Sequence, residues 1–234
     1  MRTRRSLACL LAAAALAACA TQADLGGDDR TAAERRADEA AAGKMLLTLD
    51  DLPAGYRAGP VDQGDDAASA RLDAGMARCM NVSRDRFDRG NPKATSPTFM
   101  TANDDTEITA VVTFTPSTTW AAKKMDLFQS DAAPRCLARV FRQELVHSVQ
   151  PGVEVSEPTI DRVDVPNLGD EAVTFRMTVR ISQGGQEARF HFATVLVRVG
   201  RIGVTTSFIT RGEPFDPGQA ADLTRLVVER APEA

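Results

Sequence analysis

Apolar residues recur along this chain at two different periods. Between Ala67 and Met80 they fall at Leu72, Met76, Cys79 and Met80, the i, i+4, i+7, i+8 spacing of one helical face. Glu107–Thr115 alternates instead, with Ile108, Ala110, Val112 and Phe114 on one side, so it reads as a strand that Pro116 stops. Ser117–Ser130 returns to the helical period through Ala121, Met125 and Phe128, with Trp120 near its start. Pro134 suits the first turn of a further helix, whose buried face is Leu137, Val140, Phe141 and Leu145.

From residue 173 the period of two takes over. Val173, Phe175, Met177, Val179 and Ile181 alternate with Thr174, Arg176, Thr178 and Arg180. Gly184-Gly185 supplies the positive φ angles of a two-residue hairpin, which sets Arg180 opposite Arg189 and Thr178 opposite His191. A second turn at Gly200-Arg201 sets Val197 beside Val204 and Val195 beside Thr206, and Ile202–Thr210 is the third strand. Val179, Phe190, Met177 and Phe192 then share the buried face. The opposite, outer face becomes apolar near the second turn and cationic near the first, where Arg176, Arg180, Arg189 and His191 gather. That cluster is either an anion site or an ordinary polar face with screened charges. Asp216-Pro217-Gly218-Gln219 provides an N-cap, a proline and a Gln three residues on, opening a closing helix with Leu223, Leu226 and Val227 inward. The expected class is α+β: an antiparallel β-sheet meander with several helices packed on it.

The first residues do not belong to that pattern. Arg2, Arg4 and Arg5 precede an uncharged stretch, Ser6–Ala18, of signal-peptide length and too short to span a bilayer. It ends Leu16-Ala17-Ala18-Cys19, which matches the bacterial lipobox. The reading is a signal peptide over residues 1–18, cleavage before Cys19, and diacylglyceryl on the Cys19 sulfur, with an ordinary secretory signal as the alternative. The anchored protein then sits on the extracytoplasmic face of the cell membrane, with the membrane itself as partner through that lipid. Thr3-Arg4-Arg5-Ser6-Leu7 keeps both the general and the twin-arginine export routes open. Residues 19–43 read as a disordered tether. Thr21–Gly43 is rich in Ala, Asp, Glu and Arg and has Leu25 as its one large aliphatic, which leaves too little surface to bury. Transient helix over Ala32–Ala42 is compatible with this. Residues 44–234 remain as a single domain.

Of four cysteines, Cys9 leaves with the signal and Cys19 takes lipid, so Cys79 and Cys136 remain. In an oxidising compartment the pair reads as one disulfide, contributing about 4 kcal/mol on the chain-entropy model. A metal pair is the alternative, but no C-x-x-C or nearby histidine spacing accompanies it. Removing three arginines with the signal takes the net charge from −4 to −7. That balance argues against nucleic acid as a partner and against polybasic lipid binding.

Three short stretches carry a resemblance: Leu49-Asp50-Asp51-Leu52-Pro53-Ala54-Gly55-Tyr56, the pair Cys79 and Cys136, and Gly169-Asp170-Glu171-Ala172. Together they resemble actinobacterial lipoproteins whose domain is related to the extracellular sensor of PknH-type serine/threonine kinases. The resemblance implies an antiparallel sheet with helices on one side, a ligand-binding cleft, and no catalytic residues. Those kinase sensors carry two disulfides where this chain can make one, and no kinase domain is present.

Motifs for chemistry are few. There is no G-x-S-x-G, H-E-x-x-H, phosphate loop or calcium loop. His147 falls at a helix end, where a cation suits the dipole. Asp50-Asp51, Asp65-Asp66 and Asp104-Asp105 read as helix-opening or turn acids. Tyr56 and Trp120 read as core residues, with pocket lining as the alternative. No catalytic, cofactor or metal residue is expected. The leading reading is a lipoprotein that binds a small ligand or senses the envelope without catalysis. A partner-binding or structural envelope protein and an envelope hydrolase are the alternatives. A concave apolar pocket would favour the first of these.

Overall fold

A computed structural model describes residues 28–61, 66–84, 90–149, 152–163, 165 and 167–232, with the side chains of 66–69 and 148 left aside. Residues 1–18, read as a signal peptide from the sequence, together with Cys19, Asp65 and the side chain of Asp66, lie outside the described residues. The elements run α1 (Ala32–Met45), a 3-10 turn (Leu49–Asp51), β1 (Tyr56–Val61), α2 (Asp66–Met80), β2 (Lys93–Thr95), β3 (Pro97–Thr101) and β4 (Thr106–Phe114). Next come α3 (Thr118–Gln129), α4 (Ala133–Ser148), β5 (Val153–Val155), β6 (Thr159–Val163), β7 (Glu171–Gln183), β8 (Gln186–Val199), β9 (Ile202–Arg211) and α5 (Pro217–Glu229). The nine strands among the described residues join one antiparallel sheet in the order β1-β3-β4-β9-β8-β7-β5, with β2 also on β4 and β6 also on β7. The class is α+β.

The meander has the register its turns predict. Arg180 pairs with Arg189 and Thr178 with His191 across β7–β8, and Val197 pairs with Val204 and Val195 with Thr206 across β8–β9. Gly184 and Gly185 take φ values of 58° and 81° at the first turn. The α5 cap also forms: the Asp216 carboxylate accepts from Gln219 N at 2.7 Å.

Helices cover both faces of the sheet, which corrects the one-sided arrangement implied by the resemblance. On one face α3 and α4 cover Val173, Phe175 and Leu196, with Met125, Phe128, Ala133 and Leu137 against them. Phe141 of α4 meets Phe192 edge-on at 5.1 Å between ring centroids. Outside this layer α2 packs on α4 through Met76, Ala77, Cys136 and Val140. Gly75 permits the close approach, since a Cβ there would stand 2.7 Å from the Val140 side chain. Cys79 and Cys136 join the two helices in a disulfide, with Cα atoms 5.6 Å apart.

The other face holds the larger core, and it includes the end of the hairpin expected to be outside. Val195, Val197, Ile202, Val204 and Phe208 are buried there with Ile108, Val112 and Phe114, beneath Ala42 and Met45 of α1 and Leu223 and Val227 of α5. That placement also corrects the tether. The chain is helical from Ala32, capped by Thr31, whose hydroxyl accepts from Glu34 N while the Glu34 carboxylate accepts from Thr31 N. Asp38 and Ala42 are buried, so the folded body begins well before residue 44. What docks this helix is charge as much as apolar area. The Asp38 carboxylate accepts from Arg30 at 2.9 Å and from Arg201 at 2.5 and 2.9 Å. Arg30 also donates to Asp28, Asn91 Oδ1 and the Phe114 carbonyl.

Candidate functional site

Between α3 and the sheet lies a cavity of about 150 Å³. Its walls are Ala121, Met125 and Phe128 from α3 and Leu196 from β8, with Thr113 and Thr205 beneath and Lys124 and Arg198 at the edge. The local cause of the space is Gly203. It stands between Thr113 of β4 and Arg198 of β8 in the register, and a Cβ built on it would find nothing nearer than the Thr113 carbonyl at 3.9 Å. A strand residue without a side chain near the start of β9, on the face that α3 covers, leaves a hollow that the helix above does not fill. The result is a mostly apolar hollow with a few polar groups at its rim, the usual composition of a small-molecule site.

The cations at the rim are held in place. Arg198 donates to Glu171 at 2.8 Å and to Asp170 and the Gly200 carbonyl at 2.9 and 3.2 Å. Its pKa is raised, first by the Glu171 hydrogen bond and, against the cost of burial, by the charges of Glu171 and Asp170. Lys124 sits over the Trp120 ring, 5.6 Å from the centroid. Arg198 is thus held and neutralised by two carboxylates, and Lys124 is the other cationic group beside the hollow.

The residues singled out in the sequence divide between scaffold and surface. Asp170 accepts from Gly200 N at 2.7 Å and so clamps the β8–β9 turn. Gly169, at φ 64°, must be glycine because a Cβ would meet the Val197 side chain at 2.5 Å and the Arg198 carbonyl at 2.6 Å. Asp51 accepts from Thr48 N and from Arg230 at the end of α5, which ties the first turn of the domain to its last helix. Arg230 is the first cause of the depressed Asp51 pKa. Trp120 is buried and Tyr56 half-buried against the main core, and neither lines the hollow. His147 is exposed in the last turn of α4. Asp104 sits in a positive-φ turn and pairs with Arg57. Arg176, Arg180 and Arg189 are exposed on one face, and His191 bridges Thr178 and the Gly212 carbonyl at 3.0 and 2.9 Å. Among the described residues no three His, Cys, Asp or Glu side chains gather in a metal-binding group. The hollow itself was missed by sequence reasoning, and Gly203 inside an otherwise regular strand was the available signal.

No family model and no curated protein matches this chain. Among solved structures it is similar to LpqN of Mycobacterium tuberculosis, described as involved in cell envelope biogenesis. That match has 12% identity and a TM-score of 0.24, covering 76% of this chain and 78% of that one. It is also similar to PA94 of Pseudomonas aeruginosa, a protein of unknown function, at 13% identity and a TM-score of 0.22, covering 57% of this chain and 74% of the other. Likeness at this level carries no functional inference.

Proposed function

We propose that this chain is a lipid-anchored, extracytoplasmic binding protein that captures a small apolar ligand beneath α3 and does no chemistry on it. The observation that carries the reading is the mostly apolar hollow over Gly203. Its volume of about 150 Å³ matches cavities that accept a benzene-sized group, and is far too small for a two-chain lipid, so the occupant is a small molecule or the end of a larger one. The resemblance to sensor-type lipoproteins and the disulfide expected of an oxidising compartment agree with this setting.

The anchor is the lipobox cysteine, Cys19. Among the described residues no helix is long and apolar enough to cross a membrane. Asp28 already belongs to the folded body through Arg30 and Arg35. The span from Cys19 to Asp28 reaches at most about 30 Å when fully extended, so the domain stays close to the bilayer. Two measurements test the proposal. Mass spectrometry of the mature protein should find diacylglycerol on Cys19, and Cys19→Ser should abolish retention in the membrane fraction. Ligand-observed NMR with benzene-sized aromatic and short aliphatic probes should show saturable binding that Gly203→Leu, which fills the hollow, removes without loss of fold. Unlipidated wild-type protein refutes the anchor, and binding undiminished in Gly203→Leu refutes the site.

A further inference from the structure

The face of the sheet opposite α3 contains a polar group with an unmet requirement. Among the described residues five threonines are buried, and four of them are hydrogen-bonded. Thr115 donates to the Arg201 carbonyl, Thr206 pairs with Thr224, Thr224 donates to the Ala220 carbonyl, and Thr210 donates to the Glu213 carbonyl. The fifth, Thr174 on β7, is 8% exposed, and its Oγ1 has no partner. Its cross-strand neighbours explain why: Val163 of β6 on one side and Val195 of β8 on the other offer nothing to bond. A buried hydroxyl left in this way costs about 1–3 kcal/mol.

That hydroxyl lines a second cavity, of about 80 Å³, closed by Val163, Val165, Val195, Phe215 and Ala220. This is room for several heavy atoms, since one water needs roughly 10–15 Å³ by the same kind of measure. Arg176, two residues further along the same face of β7, lines the same cavity and is exposed. Asp161 stands opposite it across β6–β7, yet no ion pair joins the two among the described residues. The first turn of α5 forms another wall, where the helix dipole is positive. Asp216 offsets part of that charge by capping Gln219. Arg180 and Arg189 continue the cationic face beyond the cavity.

We propose that this cavity is a binding site for a short-chain aliphatic carboxylate, with the alkyl group among the valines and the carboxylate held by the Thr174 hydroxyl and the Arg176 guanidinium. Each part of such a ligand meets what the site lacks or offers. The apolar wall takes three or four carbons at most, the hydroxyl gains an acceptor, and the planar guanidinium takes the carboxylate oxygens as a fork. An amine is repelled by Arg176, an alcohol cannot draw on its charge, and inorganic phosphate has no apolar part to fill the hollow. The site is separate from the one beneath α3 and does not depend on it.

The test is a titration of the mature protein with methyl-labelled isovalerate and isobutyrate, followed by NMR, beside isoamyl alcohol, isoamylamine and inorganic phosphate. The carboxylates should bind saturably, and the alcohol, amine and phosphate at least about tenfold more weakly. Thr174→Val keeps the side-chain shape and Arg176→Gln changes an exposed residue, so both should keep the fold. Each should weaken the carboxylates about tenfold, the effect expected of one lost hydrogen bond to a charged group. Gly203→Leu should leave this binding unchanged. The proposal is overturned if neither carboxylate binds, if both Thr174→Val and Arg176→Gln bind as wild type does, or if Gly203→Leu abolishes the signal.

Discussion

Replacing Asp38 with asparagine tests whether the first helix belongs to the cooperative fold. The substitution keeps the side-chain shape and removes the one charge that stands between Arg30 and Arg201. The Asp38 side chain is 8% exposed and Arg30 is 11% exposed, whereas Arg201 is 37% exposed. Breaking a fully buried pair by removing one partner costs about 3–5 kcal/mol. Water reaches Arg201 and Asp28 still neutralises Arg30, so about 2–3 kcal/mol is expected here. For a chain of this size that lowers Tm by roughly 4–12 °C. Acid should cancel the difference. Arg201 foremost, and Arg30 after it, hold the Asp38 carboxyl below its ordinary value of 3.8 against the opposing effect of burial. A carboxyl depressed by folding adds stability that is complete above its unfolded pKa and is lost as pH falls through the folded one. The gap between wild type and Asp38→Asn should therefore be complete near neutral pH and narrow as the pH falls below the ordinary carboxylate range. Urea unfolding followed by circular dichroism across that range measures both effects. A loss under about 0.5 kcal/mol at pH 7, or a gap that ignores pH, would refute the assignment of α1 to the folded body.

Three further outcomes follow from single contacts. Replacing Cys79 and Cys136 with alanine opens a loop of 57 residues and should cost about 4 kcal/mol, while the intact protein should show no thiol at either position on alkylation after denaturation. Gly169→Ala combines a positive φ with contacts at 2.5 and 2.6 Å, so it should lose about 2 kcal/mol or more, read as a lower urea midpoint. Arg189→Glu turns the like-charged cross-strand pair with Arg180 into an attractive one and should raise stability by about 0.5 kcal/mol, an effect that salt should diminish.

Where a local rule acts alone, the sequence is sufficient. Two adjacent glycines specify a two-residue turn, and with it the whole register of β7 and β8 follows. Asp216 and Pro217 specify the start of α5 in the same way. The failures share a cause. Helix α1 docks through Asp38 and through small residues such as Ala42, so it shows no broad apolar stripe and reads as a charged tether. Alternation in β8 separates two faces but does not say which of them is covered. Val195 and Val197 on the supposed outer face were themselves the sign of a second layer. The two cavities depend on what stands above Gly203 and Thr174, and that is settled by residues far along the chain.

The resemblance motifs have a similar meaning once their contacts are known. Asp51 holds Arg230, and Asp170 holds Gly200 and Arg198. Cys79 and Cys136 hold α2 to α4. Each of these contacts fixes the frame, and Asp51, Asp170, Cys79 and Cys136 stand outside the hollows over Gly203 and beside Thr174, while Asp51, Leu52 and Pro53 border an open cleft against α5. Residues that fix a frame in this way do not by themselves say what the frame binds. On the proposals above, specificity resides in the groups around the two hollows. Among them are Gly203, Lys124 and Arg198 on one side of the sheet, and Thr174 and Arg176 on the other. If those proposals hold, a relative that kept the motifs but replaced those five should keep this fold and bind something different.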